Sequence, residues 1–192
     1  MELSCLRHGL TIENTKAIYH GTFDGTLTGE QLAKLAHVRF DASHYDAIYC
    51  SPLGRCRETA RALGIESWIA DARIAERNFG IFEGLSATEC EIRYPDAFRS
   101  FQQFDADYQI PNGESRAQNL ARVLHWLQEV HQYQRVLAIT HGGTIDFLYR
   151  MAMGIELHGG GRIYSASNAS LSIFDVQWPR LVLVAYDARL VA

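Results

Sequence analysis

Apolar positions along this chain fall into two rhythms. Short unbroken or alternating runs at Leu3–Leu6, Ala47–Cys50, around Ser67–Ile69, Arg135–Thr140, Leu171–Val176 and Leu181–Tyr186 predict strands. Most of the intervals carry helical patterns. Thr28 caps a predicted helix running through Leu35, with Gln31 at the capping-box position. Leu53 to Leu63, rich in Arg and Ala, predicts a helix that stops at Gly64. Ser115 to His131 is the longest helical stretch, with Leu120, Val123, Leu124, Leu127 and Val130 on one face. Thr144 to Met153 predicts a last helix ending at Gly154. Strands alternating with helices imply a three-layer α/β/α sandwich with a mostly parallel sheet. The last two strands are close enough to form an antiparallel hairpin edge. The stretch from Gly80 to Gly113 keeps neither rhythm: it holds short helical pieces, aromatics, Pro95 and Pro111. It reads as a lid-like insertion over the carboxyl edge of the sheet.

Length and charge narrow the classes. A chain of 192 residues suits one domain, 1–192, with a large core. A net charge of −4 offers no positive excess for nucleic acid or an anionic membrane. An anionic substrate therefore has to be held by a local pocket. Cys5, Cys50, Cys56 and Cys90 form no CxxC pair and read as buried reduced thiols. No apolar run is long enough for a membrane span, and the amino terminus enters a strand without a basic leader pattern. The cytoplasm is the default location.

Two strands end alike. Leu3–Leu6 runs into Arg7-His8-Gly9, and Arg135–Thr140 runs into His141-Gly142-Gly143. Each delivers a histidine and then a glycine to a carboxyl end, where open α/β sheets bind ligands. Two imidazoles there, one beside an arginine, point to an anion that is also a reactant. Alone, Arg7-His8-Gly9 equally fits a surface arginine beside a structural histidine. Ser51-Pro52 marks a helix start, with proline in the first turn. Arg55 then lies near a helix amino terminus that favours an anion, and guanidinium matches phosphate oxygens. The plainer alternative is an exposed helix arginine. Glu76 and Glu83 stand among aromatics and glycines. A carboxyl against apolar surface can donate a proton near neutrality, unless both simply pair with Arg73 or Arg77. Gly142 and Gly143 let backbone amides approach an anion. Gly159-Gly160-Gly161 reads as a turn rather than a phosphate loop.

Together these pieces resemble the histidine phosphatase superfamily, in the branch with cofactor-dependent phosphoglycerate mutase and its phosphatase relatives. The family's Arg-His-Gly corresponds to Arg7-His8-Gly9, and its Thr-x-x-Asn to Thr11–Asn14. Tyr19–Thr28 follows Tyr-x-Gly-x-x-Asp-x-x-Leu-Thr, with Gly21 and Asp24 in place. Ser51–Arg55 follows Ser-Pro-Leu-x-Arg, Glu76–Gly84 follows Glu-x-x-x-Gly-x-x-Glu-Gly, and Pro111–Ser115 follows Pro-x-Gly-Glu-Ser. His141–Gly143 is the second His-Gly-Gly, and Asn168-Ala169-Ser170 fits a late Asn-x-Ser. The motifs keep family order over nearly the whole chain. Leu10 stands where Glu is usual, and Phe82 where Trp is common.

The resemblance implies a phosphoglycerate mutase-like fold and a phosphohistidine mechanism. His8 would be the nucleophile, its attacking nitrogen unprotonated because the other donates to a carbonyl or similar acceptor. Arg7, Arg55 and His141 would surround the phosphoryl oxygens. Asn14, the Gly21 backbone and Gly142 would add neutral donors, and His20 would contact the substrate. Glu76 would protonate the leaving oxygen and then act as base toward water. No metal and no cofactor are implied, because fixed cations neutralise the phosphoryl group. The implied partner is a small phosphorylated substrate, and a homodimer is left open. Family mutases carry an extra segment with a basic Arg-Ser-Tyr run before the second histidine. The stretch from Glu76 to His141 is short and has no such run, so a phosphatase is preferred to a phosphoglycerate mutase. A non-catalytic phospho-ligand binding module is the alternative from another class. Tyr108–Ser115 is similar to part of the α-ribazole phosphatases; a sugar phosphate or broad specificity stands beside that substrate.

Overall fold

The computed structural model describes residues 1–159 and 165–190, so Gly160 and Gly161 of the three-glycine turn lie outside the described residues. One sheet holds β1 (Glu2–Arg7), β2 (Ala47–Cys50), β3 (Ile69–Ala70), β4 (Arg135–Thr140), β5 (Ser170–Gln177) and β6 (Arg180–Arg189), in the order β3-β2-β4-β1-β5-β6. Neighbours from β3 to β1 pair in parallel, and β5 and β6 add an antiparallel hairpin at the β1 side. Arg7 lies opposite Thr140 in the β1–β4 register. His8 and His141 therefore leave adjacent strands at the same level.

The helices are α1 (Ile12–Thr15), α2 (Gly29–Ala36), α3 (Gly54–Ala62), α4 (Ala87–Arg93), α5 (Pro95–Gln102), α6 (Arg116–Val130) and α7 (Gly142–Met153). Alternation along β4 divides the core into two faces. Val136 and Ala138 pack with Val123, Trp126 and Leu127 of α6 and with Ile145 and Leu148 of α7. Leu137 and Ile139 pack with Leu35 of α2 and with Cys56 and Ala60 of α3. These are the three expected layers. Each such large side chain contributes about 1.5–3 kcal/mol on burial.

Local details differ from the sequence reading. Pro52 precedes α3 instead of occupying its first turn; Leu53 is the cap residue, and Gly54 donates its N–H to Asp24. Thr28 caps α2 through the Gln31 N–H (3.1 Å), but Gln31 closes no capping box: its Oε1 accepts the Leu10 N–H at 3.4 Å. In α6, Leu120 and Leu124 are only half-buried. The buried stripe is Arg116, Asn119, Val123, Trp126, Leu127 and Val130, so it turns polar toward its amino-terminal end.

Residues 80–113 build a third cluster from Phe82, Leu85, Cys90, Phe98 and Ile110, with Phe82 fully buried. The two ends of this segment meet at Gly80. Its φ is +51°, and a Cβ there would stand 2.1 Å from the Pro111 carbonyl oxygen, so no other residue fits. All four cysteines are buried and free. Among the described residues, no helix is long and apolar enough to cross a membrane.

Candidate active site

The chain leaves β1 at His8. Its Nδ1 lies 2.8 Å from the Gly9 carbonyl oxygen, and the side chain is buried. A carbonyl only accepts, so Nδ1 carries the proton and Nε2 the lone pair. Asn168 clamps this turn by donating Nδ2 to the His8 carbonyl at 3.1 Å and the Gly9 carbonyl at 3.3 Å. Arg7 donates to the Ala166 carbonyl and to Ser165 Oγ (3.3 Å). Arg7 and His8 line one cavity of about 470 Å³. A regular strand would put them on opposite faces; the turn after Arg7 removes that constraint. Burial, then the charges of Arg55 and Arg7, hold the His8 imidazole well below its ordinary pKa of 6.5. It is neutral at neutral pH.

Arg55 is fully buried in the first turn of α3. It donates to the carbonyls of Phe23 (3.0 Å), His20 (3.2 Å) and Gly21 (2.8 Å), and through Nε to His141 Nδ1 (3.3 Å). No carboxylate pairs with it among the described residues. A buried guanidinium met only by neutral acceptors lacks one anion.

His141 lies behind this arginine, with its ring 5.2 Å from that of His8. Because Nδ1 accepts from Arg55, the proton is on Nε2, which donates to Ser51 Oγ at 2.8 Å. Burial, with Arg55 next, lowers its pKa well below 6.5. His141 is thus buried beside both His8 and Arg55.

His20 and Asn14 both line the cavity. His20 Nδ1 donates to the Ile18 carbonyl (3.1 Å), which leaves Nε2 to accept from Thr11 Oγ1 (3.2 Å). Thr11 and Asn14 form a capping box on α1, and Asn168 Nδ2 also reaches Asn14 Oδ1 at 3.1 Å. With Oδ1 held from behind, the Asn14 amide N–H groups are its remaining chemistry. The Gly21 N–H donates to Glu83 (2.9 Å), and its carbonyl accepts from Arg55 (2.8 Å). A Cβ at Gly21 would come within 2.0 Å of the Arg77 carbonyl oxygen. Glu83 also accepts N–H bonds from Thr22 (3.0 Å), Phe23 (3.4 Å) and Phe79 (2.8 Å), pinning this loop onto the inserted segment.

Glu76 faces the same cavity, half-buried. The N–H of Arg77 (2.9 Å) and that of Gly143 (3.3 Å) fix its carboxylate. Gly142 opens α7 and is buried; of the glycine pair, only Gly143 reaches the cavity. Sequence reasoning missed several supports. Ser51 looked like a helix starter but orients His141. Arg122 of α6 ties down the carbonyls of Arg73 (2.8 Å), Ala75 (2.7 Å) and Glu76 (2.9 Å). Arg116, Asn119 and Asp146 also line the cavity. The signal for the first two was the three-residue spacing that puts them on the buried stripe of α6.

Fold and site define an α/β protein with a histidine- and arginine-lined pocket at the carboxyl edge of its sheet. The family model of the histidine phosphatase superfamily, branch 1, matches residues 3–188, and the chain belongs to that superfamily. Phosphoserine phosphatase 1 of Hydrogenobacter thermophilus is 30% identical over 193 residues, spanning 96% of this chain and 90% of that protein. Phosphoglycerate mutase-like protein 4 of Arabidopsis thaliana is 27% identical over 90% of this chain and 78% of its own length. The crystal structure of the alpha-ribazole phosphatase from Shigella flexneri has a TM-score of 0.84 over 100% of this chain and 98% of that one, and at 23% identity it shares the fold.

Proposed function

We propose that this chain is a phosphomonoester hydrolase that passes the phosphoryl group through Nε2 of His8. The observation that carries the reading is a buried cation, Arg55, with no carboxylate partner among the described residues, beside a neutral imidazole whose lone pair is fixed on Nε2. A phosphate ester supplies the missing anion. Nε2 attacks phosphorus in line; the N–P bond forms as the bond to the leaving oxygen breaks, and Glu76 gives that oxygen its proton. Water then attacks the phosphohistidine while Glu76 takes the water's proton. The N–P electrons return to Nε2, and inorganic phosphate leaves. Arg7 and Arg55 stabilise the charge on the transferring oxygens, and the Asn14 amide adds a neutral donor. His20 contacts the substrate, and Gly142 starts the helix whose next residue holds Glu76. His141, whose ring lies 5.2 Å from that of His8, joins Arg7 and Arg55 around those oxygens. These fixed cations make the mechanism metal-free.

The short stretch between Glu76 and His141 favours hydrolysis over a mutase reaction. Residues 80–113 serve as a lid-like insertion within a single domain, since they carry their own apolar cluster and present rings to the cavity. The substrate is a small phosphorylated metabolite. Phosphoserine, sugar phosphates and α-ribazole phosphate are the first to assay. The four free buried thiols suit a reducing compartment, the cytoplasm. The decisive experiment incubates the protein with an aryl phosphate in EDTA and quenches in alkali. Phosphate release and an acid-labile phosphoryl group on the protein are expected, the latter absent in His8→Ala. Labelling that persists in His8→Ala, or activity lost to EDTA, overturns the mechanism.

A further inference from the structure

The Asn168-Ala169-Ser170 motif takes no part in the proposed chemistry, yet its amide reaches the turn that carries His8. Asn168 Nδ2 donates to the His8 carbonyl (3.1 Å), the Gly9 carbonyl (3.3 Å) and Asn14 Oδ1 (3.1 Å). Two hydrogens serve three acceptors, so one hydrogen is shared. The carbonyls only accept, which fixes the way the Asn168 amide faces. The Gly9 carbonyl also takes the Nδ1 proton of His8, at 2.8 Å. It therefore holds two donors, and the second comes from a residue 159 positions away. The Gly9 N–H donates to Thr59 Oγ1 at 2.9 Å, so the turn is held on both sides of this residue. Asn168 is itself braced. Ser170 Oγ donates to the Ser167 carbonyl at 2.8 Å, and Ser167 Oγ donates to Asp187 Oδ2 at 3.0 Å. The Ala169 N–H reaches the carbonyls of Arg7 (3.2 Å) and His8 (3.1 Å). Asp187 belongs to β6, so the edge hairpin supports the amide.

We infer that Asn168 is a positioning residue that sets the His8 tautomer and the Asn14 donor together. Through the Gly9 carbonyl it steadies the acceptor that puts the proton on Nδ1 and the lone pair on Nε2. Through Oδ1 it leaves Asn14, which lines the cavity, its N–H groups to offer the phosphoryl oxygens. Without this amide, the Gly9 carbonyl loses one of its two donors and its peptide plane is freer to rotate. Asn14 Oδ1 then keeps the longer bond from the Thr11 N–H, at 3.3 Å. The catalytic consequence rests on the phosphomonoesterase reading; the imidazole geometry does not.

The test compares the wild type with Asn168→Ala, Asn14→Ala and the double variant on an aryl phosphate. Asn168→Ala should lower kcat by about 10- to 10²-fold, with the larger share of the loss in kcat rather than KM, because the reacting groups are misplaced and not removed. In the double variant the loss should fall short of the product of the two single losses, since Asn14 is one of the groups Asn168 works through. The second readout is the nitrogen NMR spectrum of isotopically labelled histidines in the unliganded protein, the His8 signals being those lost in His8→Ala. The wild type should show one N–H nitrogen and one lone-pair nitrogen for His8. In Asn168→Ala the two should draw together as both tautomers become populated. A merely structural amide would lower the urea midpoint and move neither the spectrum nor the split between kcat and KM. Asn168→Asp keeps the shape and sets acceptors against acceptors, so it carries the same measurements where the alanine variant fails to fold. Unchanged His8 nitrogen shifts, or losses that multiply in the double variant, overturn the inference and leave the hydrolase intact. A wild type that hydrolyses no ester and traps no phosphohistidine removes the hydrolase reading, and the nitrogen shifts alone then decide the role of Asn168.

Discussion

At one end of the cavity, Arg7, His8 and Arg55 are set by strand ends and a helix start, and backbone carbonyls hold them in place. At the other end, Phe101, Phe104, Arg116 and Asp146 come from helices and from the inserted segment, and they lean on one another: the Arg116 guanidinium sits 5.9 Å from the Phe104 ring centre and 3.9 Å from Asp146. The difference separates two tasks. Under the proposed mechanism, rigid backbone geometry fixes where phosphorus reacts, and side-chain packing shapes the space for the leaving group. Substitutions at the first end should therefore abolish turnover of every ester, while those at the second should re-rank esters.

The largest effect belongs to His8. Removing the nucleophile in His8→Ala should lower kcat by on the order of 10⁴-fold or more for every phosphate ester, with no burst of labelled protein. A variant that kept a graded preference among esters at measurable rates would mean that chemistry and selection are not separated as described.

Arg55→Ala should cost about 10²–10³-fold in kcat across esters, since it removes charge stabilisation at the phosphoryl group. Arg55→Lys should recover little: the guanidinium meets three carbonyls and an imidazole in one planar fork, which an ammonium cannot reproduce. Thermal melts sharpen the point. Inorganic phosphate should raise the melting temperature of the wild type and not that of Arg55→Ala. An equal rise in both proteins would place the anion elsewhere.

The same divide explains what the sequence revealed. The carboxyl ends of β1 and β4 were legible because an apolar run followed by His-Gly announces both the strand and its exit. Arg55 was legible through the helix start after β2. The three-layer sheet followed from the alternation of strands and helices, and even β3, only two residues long, was located to within a residue or two. The supports were not legible. Ser51 and Arg122 act across layers, on residues 90 and about 50 positions away respectively, and no local pattern encodes such pairings. Asp146 was hidden inside an apolar helix, although a carboxylate followed by Arg150 four residues on was a trace of it. His141 illustrates the limit: its place at the sheet edge was predicted, but its hydrogen bond to Ser51, a residue from another strand end, was not.

A third prediction concerns pH. His8, His20 and His141 are all held below the ordinary histidine pKa, in each case by burial first and Arg55 next. Well above pH 6.5 these residues are neutral in both native and unfolded chains and add no slope. Below it the unfolded chain binds protons that the native state refuses, so stability falls as pH falls. Each histidine adds at most about 1.4 kcal/mol per pH unit. Urea midpoints measured from about pH 7.5 down to 5 should decline, and His8→Asn should flatten the decline. Carboxylates losing their native partners push in the same direction, so the difference between the two proteins is the diagnostic. Identical slopes would show that His8 accepts a proton in the native state, contrary to its position between Arg7 and Arg55.

The smallest effect tests the selecting end alone. Phe104 lines the cavity but lies outside the buried cluster of the inserted segment, so trimming it should spare the core. Its ring lines the cavity with the Arg116 guanidinium 5.9 Å from its centre. An aryl leaving group gains an aromatic contact there worth about 0.5–1.5 kcal/mol; a methyl ester is too short to reach it. Phe104→Ala should therefore raise KM for a naphthyl phosphate by about two- to tenfold, with kcat unchanged and methyl phosphate unaffected in both constants. The split matters more than the size. Under the proposed mechanism chemistry occurs at His8 in either case, so a loss in kcat, or an equal loss for both esters, would show that Phe104 also sets the geometry of the reacting phosphorus.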